Sequence, residues 1–265
     1  MYIKPKKSLG QNFLIDKNIQ KKIIRACNLS KEDIVLEIGS GKGELTAQLA
    51  QSVKKIYALE IDQRLYPSLQ QVLGDYDNCQ IIKTDILKSD ISKFLDDQQK
   101  GQKIKVIGNI PYYISSPIIE HLIRYHQAIN VAFITVQKEF GLRAKAVAGS
   151  KEYGSFSCFV QYYCKCDILF EIKRNSFKPA PNVESCFLSL KFREKPAVSV
   201  QDEGVLFKLI RTAFNQRRKT LRNSLDGLVS LDKLKNFLQK TGIDKNVRPE
   251  DLSLEQFADL SNYLD

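Results

Sequence analysis

Short apolar runs alternate with amphipathic stretches over residues 33–147 of the chain. Apolar runs of this length are typical of buried strands, and amphipathic stretches are typical of surface helices. We predict strands at 34–38, 55–60, 80–84, 105–108 and 130–136. We predict helices near 44–52, 62–74, 88–98 and 116–126. Strand–helix alternation at this spacing indicates an α/β domain with a parallel, Rossmann-like sheet and helices on both faces.

The pattern changes in the last third of the chain. Two more strand-like runs, 156–170 and 184–192, are separated by a loop that contains proline. From Gly204 onward the periodicity is helical, and it predicts helices at about 204–214, 217–225, 231–241 and 253–264. We therefore expect a domain boundary between Lys195 and Pro196, with an α/β domain at 1–195 and a small all-helical domain at 196–265.

The net charge of +11 is concentrated in two segments. Residues 1–25 carry seven basic side chains and a single aspartate, and residues 211–222 carry five basic side chains and no acid. Clustered positive charge attracts a polyanion, because binding releases the counterions of that polyanion. The clustering favours a nucleic acid as the partner over a membrane, and over a basic surface that is merely solvated.

The six cysteines lie mostly in apolar segments, and we interpret them as reduced thiols on strands of a cytoplasmic protein. The N-terminus is basic and lacks the apolar core of a secretion signal, and no apolar run is long enough to span a membrane. Cys164 and Cys166 are separated by one residue, and both histidines lie in another segment. We expect no metal site, because zinc sites usually need a second pair of ligands.

A glycine-rich turn follows the first predicted strand, with glycines at positions 39, 41 and 43. Glycine permits a tight turn and lets a ligand approach the backbone. The spacing is G-x-G-x-G and differs from the G-x-G-x-x-G of dinucleotide-binding proteins. Taken alone, the turn is equally compatible with a purely structural role.

Two acidic residues lie at the ends of the next two predicted strands. Glu60 is placed to accept hydrogen bonds from the hydroxyls of a ribose, and Asp85 to accept one from an adenine amine. Their position around the glycine turn favours an adenosine-containing ligand over solvated acids or helix caps. NAD and S-adenosylmethionine share the adenosine, so these acids do not distinguish the two.

The fourth predicted strand ends in the tetrapeptide Asn109-Ile110-Pro111-Tyr112. An exocyclic adenine amine is a poor nucleophile, because its lone pair is delocalised into the ring. Acceptors at the Asn109 side chain and the Ile110 carbonyl would favour a more pyramidal amine that can attack a sulfonium methyl group. Pro111 restricts the backbone, and Tyr112 offers a ring on which a flipped-out base can stack. The tetrapeptide therefore predicts S-adenosylmethionine-dependent methylation of an amine on a planar ring.

With these motifs the chain resembles the ribosomal RNA adenine dimethylases of the KsgA (RsmA) type. Residues 7–14 are similar to the N-terminal motif of that family, which closes over the methionine end of the cofactor. Residues 177–185 match its F-x-P-x-P-x-V-x-S segment, in which Phe177 would help to hold the target base; from its chemistry alone, Phe177 could equally be a core residue. Residues 214–225 and 248–257 resemble the C-terminal signatures of the KsgA branch. Ser40 and Lys42 are closer to the Erm branch, which acts on the large ribosomal subunit.

The resemblance implies a class I methyltransferase that dimethylates N6 of two adjacent adenosines in the 3′-terminal hairpin loop of small-subunit (16S) ribosomal RNA. It further implies an immature 30S subunit as partner, and we expect a monomer. The implied catalytic residues are Asn109, Ile110, Pro111, Tyr112 and Phe177. The implied cofactor-binding residues are Gln11, Asn12, Leu14, Gly39, Gly41, Glu60, Ile61, Asp85, Ile86 and Asn109. The expected RNA-binding residues are Lys6, Lys7, Arg217, Arg218, Lys219 and Arg222.

Three alternatives stay open at this point. The chain could be an Erm-type methyltransferase of large-subunit RNA. It could act mainly as an assembly factor that binds the immature subunit, with methylation secondary. It could also methylate adenine in DNA, although no DNA-reading motif is recognisable in the sequence.

Overall fold

The structure is a computed structural model, and it describes residues 3–95, 101–216 and 218–264, except for the side chain of Lys7. The strands of the described residues are β1 (Phe13–Leu14), β2 (Ile34–Ile38), β3 (Lys55–Glu60), β4 (Cys79–Lys83), β5 (Ile104–Asn109), β6 (Ile129–Gln137), β7 (Cys164–Ile172), β8 (Phe177–Lys178) and β9 (Ser185–Phe192). The helices are α1 (Lys17–Ala26), α2 (Glu44–Ala50), α3 (Tyr66–Leu73), α4 (Ser115–Arg124), α5 (Lys138–Lys145), α6 (Ser155–Tyr163), α7 (Glu203–Phe214), α8 (Leu221–Ser224), α9 (Leu231–Thr241) and α10 (Leu254–Leu264).

Seven of these strands form one sheet in the order β4-β3-β2-β5-β6-β9-β7. The pairs from β4 to β6 are parallel, and β9 pairs antiparallel with β6. Every residue of β2 is buried, as expected for a central parallel strand that is covered on both faces. The predicted α/β sheet with helices on both faces is confirmed, and its far edge is mixed rather than parallel.

A second, smaller sheet holds the start of the chain. β1 and β8 form a separate two-stranded antiparallel ribbon, in which Leu14 pairs with Phe177. Immediately after it, the Asp16 side chain accepts hydrogen bonds from the backbone N–H groups of Asn18 and Ile19 and so begins α1. Residues 3–14, hereafter the N-terminal arm, are thereby anchored at their C-terminal end.

The predicted strand at 156–170 is wrong in its first half, because residues 155–163 form α6 and only the rest is β7. Phe, Val and Tyr at this position favour a strand locally, but strand propensity depends strongly on context. Cys158 and Tyr162, one helical turn apart, are both buried in a cluster with Leu206 and Ile210 of α7. Packing on another helix therefore outweighs the local preference.

Two predicted helices are also shorter than expected. Where a helix was expected at 88–98, two 3₁₀ turns cover 86–88 and 91–94, each capped by an aspartate side chain, Asp85 and Asp90. Residues 96–98 of that prediction lie outside the described part of the chain. In place of a helix at 217–225, α8 is a single turn that begins after Thr220, whose hydroxyl accepts from the Asn223 N–H. Arg218 and Lys219 consequently lie in a turn between α7 and α8, and not on a helix flank.

The contacts divide the chain into two compact units, residues 1–141 with 165–192 and residues 142–164 with 193–265. This division differs from the expected 1–195 and 196–265, because α6 belongs to the second unit. There the hydroxyls of Tyr162 and Tyr163 donate to the two carboxylate oxygens of Glu203 at the start of α7. In the described part of the chain, no helix has the length and apolar character that crossing a membrane requires.

Candidate active site

A single cleft of the first unit brings together most of the predicted site residues. It holds about 1020 Å³ of space free of protein atoms, including its open side. It lies where β2, β3 and β5 end, as expected for a parallel sheet, in which ligands bind at the carboxyl ends of the strands. The predicted residues that line it are Gln11, Asn12, Gly39, Gly41, Glu60, Ile61, Asp85, Ile86, Asn109, Ile110, Pro111 and Tyr112.

The glycine turn shapes the floor of this cleft. Gly39 and Gly41 have φ values of 75° and 59°, which residues other than glycine rarely adopt. A Cβ atom on Gly41 would lie 3.4 Å from the ring of Phe13, which is an ordinary contact, so the backbone conformation and not the space calls for glycine here. The N–H of Gly41 donates to Oε2 of Glu60 at 2.9 Å and ties the turn to the end of β3.

Glu60 is buried, and backbone groups hold its carboxylate in place. Oε1 accepts from the N–H groups of Ile61 and Asp62 at 2.9 and 2.8 Å, and Oε2 accepts from Gly41. Burial raises the pKa of Glu60, against the effect of these hydrogen bonds. A carboxylate offers about four acceptor positions. Oε2 can therefore accept one further hydrogen bond, from a ribose hydroxyl. A second hydroxyl could bind only by replacing one of the three hydrogen bonds from backbone N–H groups.

The two carboxylate oxygens of Asp85 differ in their contacts: one caps a turn, and the other is left without a partner in the described structure. Oδ1 accepts from the Leu87 N–H at 3.0 Å and caps the following 3₁₀ turn. Among the described residues, Oδ2 has no hydrogen-bond partner, and it can accept from an exocyclic amine. The turn is held from behind by His121 of α4, whose Nε2–H donates to the Ser89 carbonyl at 2.9 Å.

Asn109 is oriented by the N-terminal arm. Its Nδ2 donates to the backbone carbonyl of Asn12 at 2.9 Å. Because the amide nitrogen is used in this way, the amide oxygen Oδ1 is available as an acceptor. This is the orientation that the predicted catalytic role requires.

The next residues of the tetrapeptide are fixed by the backbone and by one buried serine. Pro111 has φ −61° and ψ 132°, and it precedes a 3₁₀ turn that begins at Tyr112. The Tyr112 hydroxyl lies 2.5 Å from Oγ of Ser185, which is fully buried at the start of β9. Burial raises the pKa of Tyr112, which keeps the phenol neutral at physiological pH. Ser185 closes the F-x-P-x-P-x-V-x-S segment, and its role as an anchor for the ring was not predicted.

Two predicted residues lie outside the main cleft. Phe177 is only 3% exposed and packs in the hydrophobic core with Ile23 and Phe187, so the structure places it as a core residue and not against the cleft. Leu14 lines a smaller neighbouring cavity. Both residues belong to the β1–β8 ribbon, where cross-strand pairing turns their side chains toward the core. A direct contact of Phe177 with a base stays a prediction.

Asp62 is a site residue that the sequence analysis missed. Its carboxylate accepts from Nε and an Nη of Arg64 at 2.9 and 2.6 Å, and from Nε2 of Gln11 at 2.8 Å. Hydrogen bonding to Arg64 is the main reason why the pKa of Asp62 is lowered to about 2. The only signal in the sequence was its position two residues after Glu60.

Glu37 is a second residue that was missed. It is 3% exposed on β2, and its Oε2 has no hydrogen-bond partner in the described part of the chain. Burial raises the pKa of Glu37 to about 7. Glu37 lines the smaller cavity, which shares Gly39, Gly41 and Asn109 with the main cleft. An unsatisfied carboxylate at this point offers a place for a cationic group.

The expected RNA-binding residues are exposed as far as the structure describes them. Lys6 is exposed on the arm of the first unit, and Arg218, Lys219 and Arg222 are exposed in the second unit. Arg217 and the side chain of Lys7 lie outside the described part of the chain. Contact of any of these residues with RNA stays a prediction.

Comparison with known proteins decides the family. The model of the ribosomal RNA adenine dimethylase family matches residues 3–265. The chain belongs to this family. Ribosomal RNA small subunit methyltransferase A of Oceanobacillus iheyensis is 42% identical over 262 residues, which cover 97% of this chain and 89% of the relative. The protein of the same name from Lachnoclostridium phytofermentans is 44% identical over 98% of this chain and 91% of its own.

Solved structures agree with this family in fold. A dimethyladenosine transferase from Plasmodium falciparum is 26% identical with a TM-score of 0.79, over 94% of this chain and 95% of that one. The 23S rRNA methyltransferase ErmE gives a TM-score of 0.75 at 24% identity, over 96% of this chain and 100% of that one, which is a likeness of fold. As a member of the family, the chain is an S-adenosylmethionine-dependent adenine dimethyltransferase of ribosomal RNA.

The polar groups of the cleft and of the smaller cavity beside it fit this cofactor. S-adenosylmethionine carries an ammonium group, a ribose with two hydroxyls and an adenine amine. The unsatisfied Oε2 of Glu37, the carboxylate of Glu60 and the free Oδ2 of Asp85 are acceptors of matching character. Ile61, which is half exposed, and Ile86 supply apolar surface in the same cleft.

The buried carboxyl of Glu37 predicts a specific pH dependence of stability. A carboxyl whose pKa is raised on folding destabilises the folded protein as pH rises from its unfolded pKa of about 4.5 to about 7. Relative to Glu37→Gln, which cannot ionise, the wild type should lose on the order of 3 kcal/mol of unfolding free energy between pH 4.5 and 8. Denaturant unfolding without cofactor, at several pH values, measures this difference. A difference that does not change with pH would show that Glu37 ionises normally.

Proposed function

We propose that this enzyme dimethylates N6 of two adjacent adenosines in the 3′-terminal hairpin loop of small-subunit ribosomal RNA, late in assembly of the subunit. The relatives named above carry the small-subunit assignment in their names and match over nearly their whole length. The segments 214–225 and 248–257, which resemble the small-subunit branch, support the same choice. The likeness to ErmE is one of fold alone and does not favour the large subunit.

The observation that carries the chemistry is the orientation of Asn109. Its Nδ2 is held by the Asn12 carbonyl, so Oδ1 stays available as an acceptor on a residue that lines the cleft. When bound, S-adenosylmethionine supplies an electrophilic methyl group. Asn109 Oδ1 and the Ile110 carbonyl accept the two N–H groups of the target amine, which withdraws the nitrogen lone pair from the ring and makes it available for attack. Such fixed acceptors act without reorganisation during the reaction.

Tyr112 positions the base. Its ring is held at the hydroxyl by Ser185 and at the backbone by Pro111, so a flipped-out adenine meets a surface that is already in place. The neutral phenol is a stacking surface and not a base. No strong base is needed, because the amine proton becomes acidic once the nitrogen carries the methyl group.

The second methylation places a different demand on the same acceptors. A singly methylated amine retains one N–H, so only one of the two acceptors can be used. The other must accommodate a methyl group. We propose that the Asn109 oxygen keeps the hydrogen bond in both rounds, because its orientation is fixed by the arm and does not depend on the substrate.

Recognition of the RNA is proposed to rest on shape and phosphate contacts. Lys6 and the exposed residues Arg218, Lys219 and Arg222 are suited to phosphates, which fix the position of the RNA without reading its sequence. Selectivity then follows from the folded RNA and from the adenines that can be flipped out. We further propose that the enzyme acts as a monomer on the immature 30S subunit in the cytoplasm.

The choice of subunit can be tested directly. Purified enzyme is incubated with S-adenosylmethionine and undermethylated small or large subunits, and the digested nucleosides are examined by mass spectrometry. We expect dimethyladenosine from small subunits only. Dimethyladenosine from large subunits alone would refute the assignment.

The basic side chains of α8 and of the turn before it should contribute to the salt dependence of RNA binding. Reversing the charge at Arg218, Lys219 and Arg222 should weaken binding and reduce the slope of log Kd against log salt by up to about one for each phosphate that is no longer neutralised. A matched control reverses Lys31, Lys54 and Lys103, which are exposed near the amino ends of the strands, away from the cleft. Equal slopes for both triple variants would remove the turn from the RNA-binding surface.

A further inference from the structure

Asp62 joins two parts of the cleft that are far apart in the sequence. Its backbone N–H donates to Oε1 of Glu60 at 2.8 Å, and its carboxylate accepts from the Gln11 side chain of the N-terminal arm at 2.8 Å. The residue is only 5% exposed, so these hydrogen bonds are shielded from water. One side chain thus connects the carboxylate predicted to bind ribose with the arm that covers it.

Arg64 extends the connection to a second point on the arm. It holds Asp62 through two nitrogens, and a third nitrogen lies 3.4 Å from the Lys4 carbonyl. The Gln11 side chain is also held within the arm, because its Oε1 accepts from the Lys6 N–H at 2.7 Å. Charge-assisted hydrogen bonds of this kind are roughly twice as strong as neutral ones.

The arm has a second attachment at the other side of the cleft. There the Asn12 carbonyl accepts from Asn109, the residue that orients the target amine. Two adjacent residues of the arm are therefore held at opposite sides of the cleft. Gln11 is bound to Asp62, beside the predicted ribose carboxylate, and Asn12 is bound to Asn109, beside the predicted position of the target amine. Displacement of Gln11 would be transmitted directly to Asn12.

We propose that Asp62 is a positioning residue that holds the N-terminal arm over the cofactor cleft and thereby sets the affinity for S-adenosylmethionine. Asp62 acts through Gln11 and Glu60 and does not itself line the cleft. The inference rests on the cofactor of this family and not on which ribosomal subunit is methylated. It can therefore fail while the proposed function stands, and the reverse also holds.

The test compares Asp62→Ala with Asp90→Ala. Both aspartates cap a 3₁₀ turn by accepting from the N–H two residues later, but only Asp62 contacts the arm. Binding of S-adenosylhomocysteine is measured by calorimetry, and hydrogen exchange of residues 4–12 is measured in the cofactor-free protein. We expect Asp62→Ala to weaken binding about ten- to hundredfold and to speed exchange of the arm, with Asp90→Ala close to wild type.

A conservative pair separates positioning from general damage to the fold. Asp62→Asn retains the size of the side chain but replaces one of its two acceptor oxygens by a donor. It therefore loses a hydrogen bond to Gln11 or to Arg64, and since both side chains hold the arm, the arm should be loosened. Adding Gln11→Glu returns an acceptor at that point and should restore the protection of the arm at least in part. Wild-type binding in Asp62→Ala, equally weakened binding in Asp62→Ala and Asp90→Ala, or unchanged exchange in Asp62→Asn would each overturn the proposal.

Discussion

The site depends on the parallel register of three strands, β2, β3 and β5. Ile38 is paired with both Leu59 and Gly108, so the residues that come next after these three positions emerge at the same edge of the sheet. Gly39, Glu60 and Asn109 become neighbours for this reason, although they are far apart in the sequence. The arm completes the cleft by taking the amide nitrogen of Asn109, which leaves its oxygen for the substrate. Fixed polar groups of this kind are a main source of enzymatic rate enhancement.

Much of this arrangement could be predicted because it follows from local patterns. Apolar runs predict the buried strands, and strand ends predict which side chains converge. The errors occur where tertiary packing decides the local structure. Residues 155–163 favour a strand by composition but form α6, since Cys158 and Tyr162 pack against another helix. The turn that carries Arg218 and Lys219 is expected to be helical from the hydrophobic pattern. That pattern does not reveal that Thr220 caps a new helix at this point.

Two of the residues that escaped prediction, Asp62 and Ser185, act through another residue, and the third, Glu37, is a buried acceptor beside the cofactor cleft. No motif in the sequence marks the role of Asp62, Ser185 or Glu37. Asp62 contacts a residue 51 positions away and Ser185 one 73 positions away, and the role of Glu37 arises from its burial. Phe177 shows the opposite case. The resemblance implied a contact with the base, which stays a prediction, while the structure packs the Phe177 side chain in the core. Most direct ligands can be found from motifs, whereas the groups that orient them, and a buried acceptor such as Glu37, are visible only in the fold.

The claim that Asn109 activates the target amine is tested most directly by Asn109→Ala under single-turnover conditions. We expect the rate of methyl transfer at saturating cofactor to fall by about 10²–10³-fold, while the Kd for undermethylated small subunits changes less than about twofold. A weakening of RNA binding that accounts for the whole decrease in rate, in a folded variant, would contradict the catalytic role. A rate close to that of the wild type would contradict it equally.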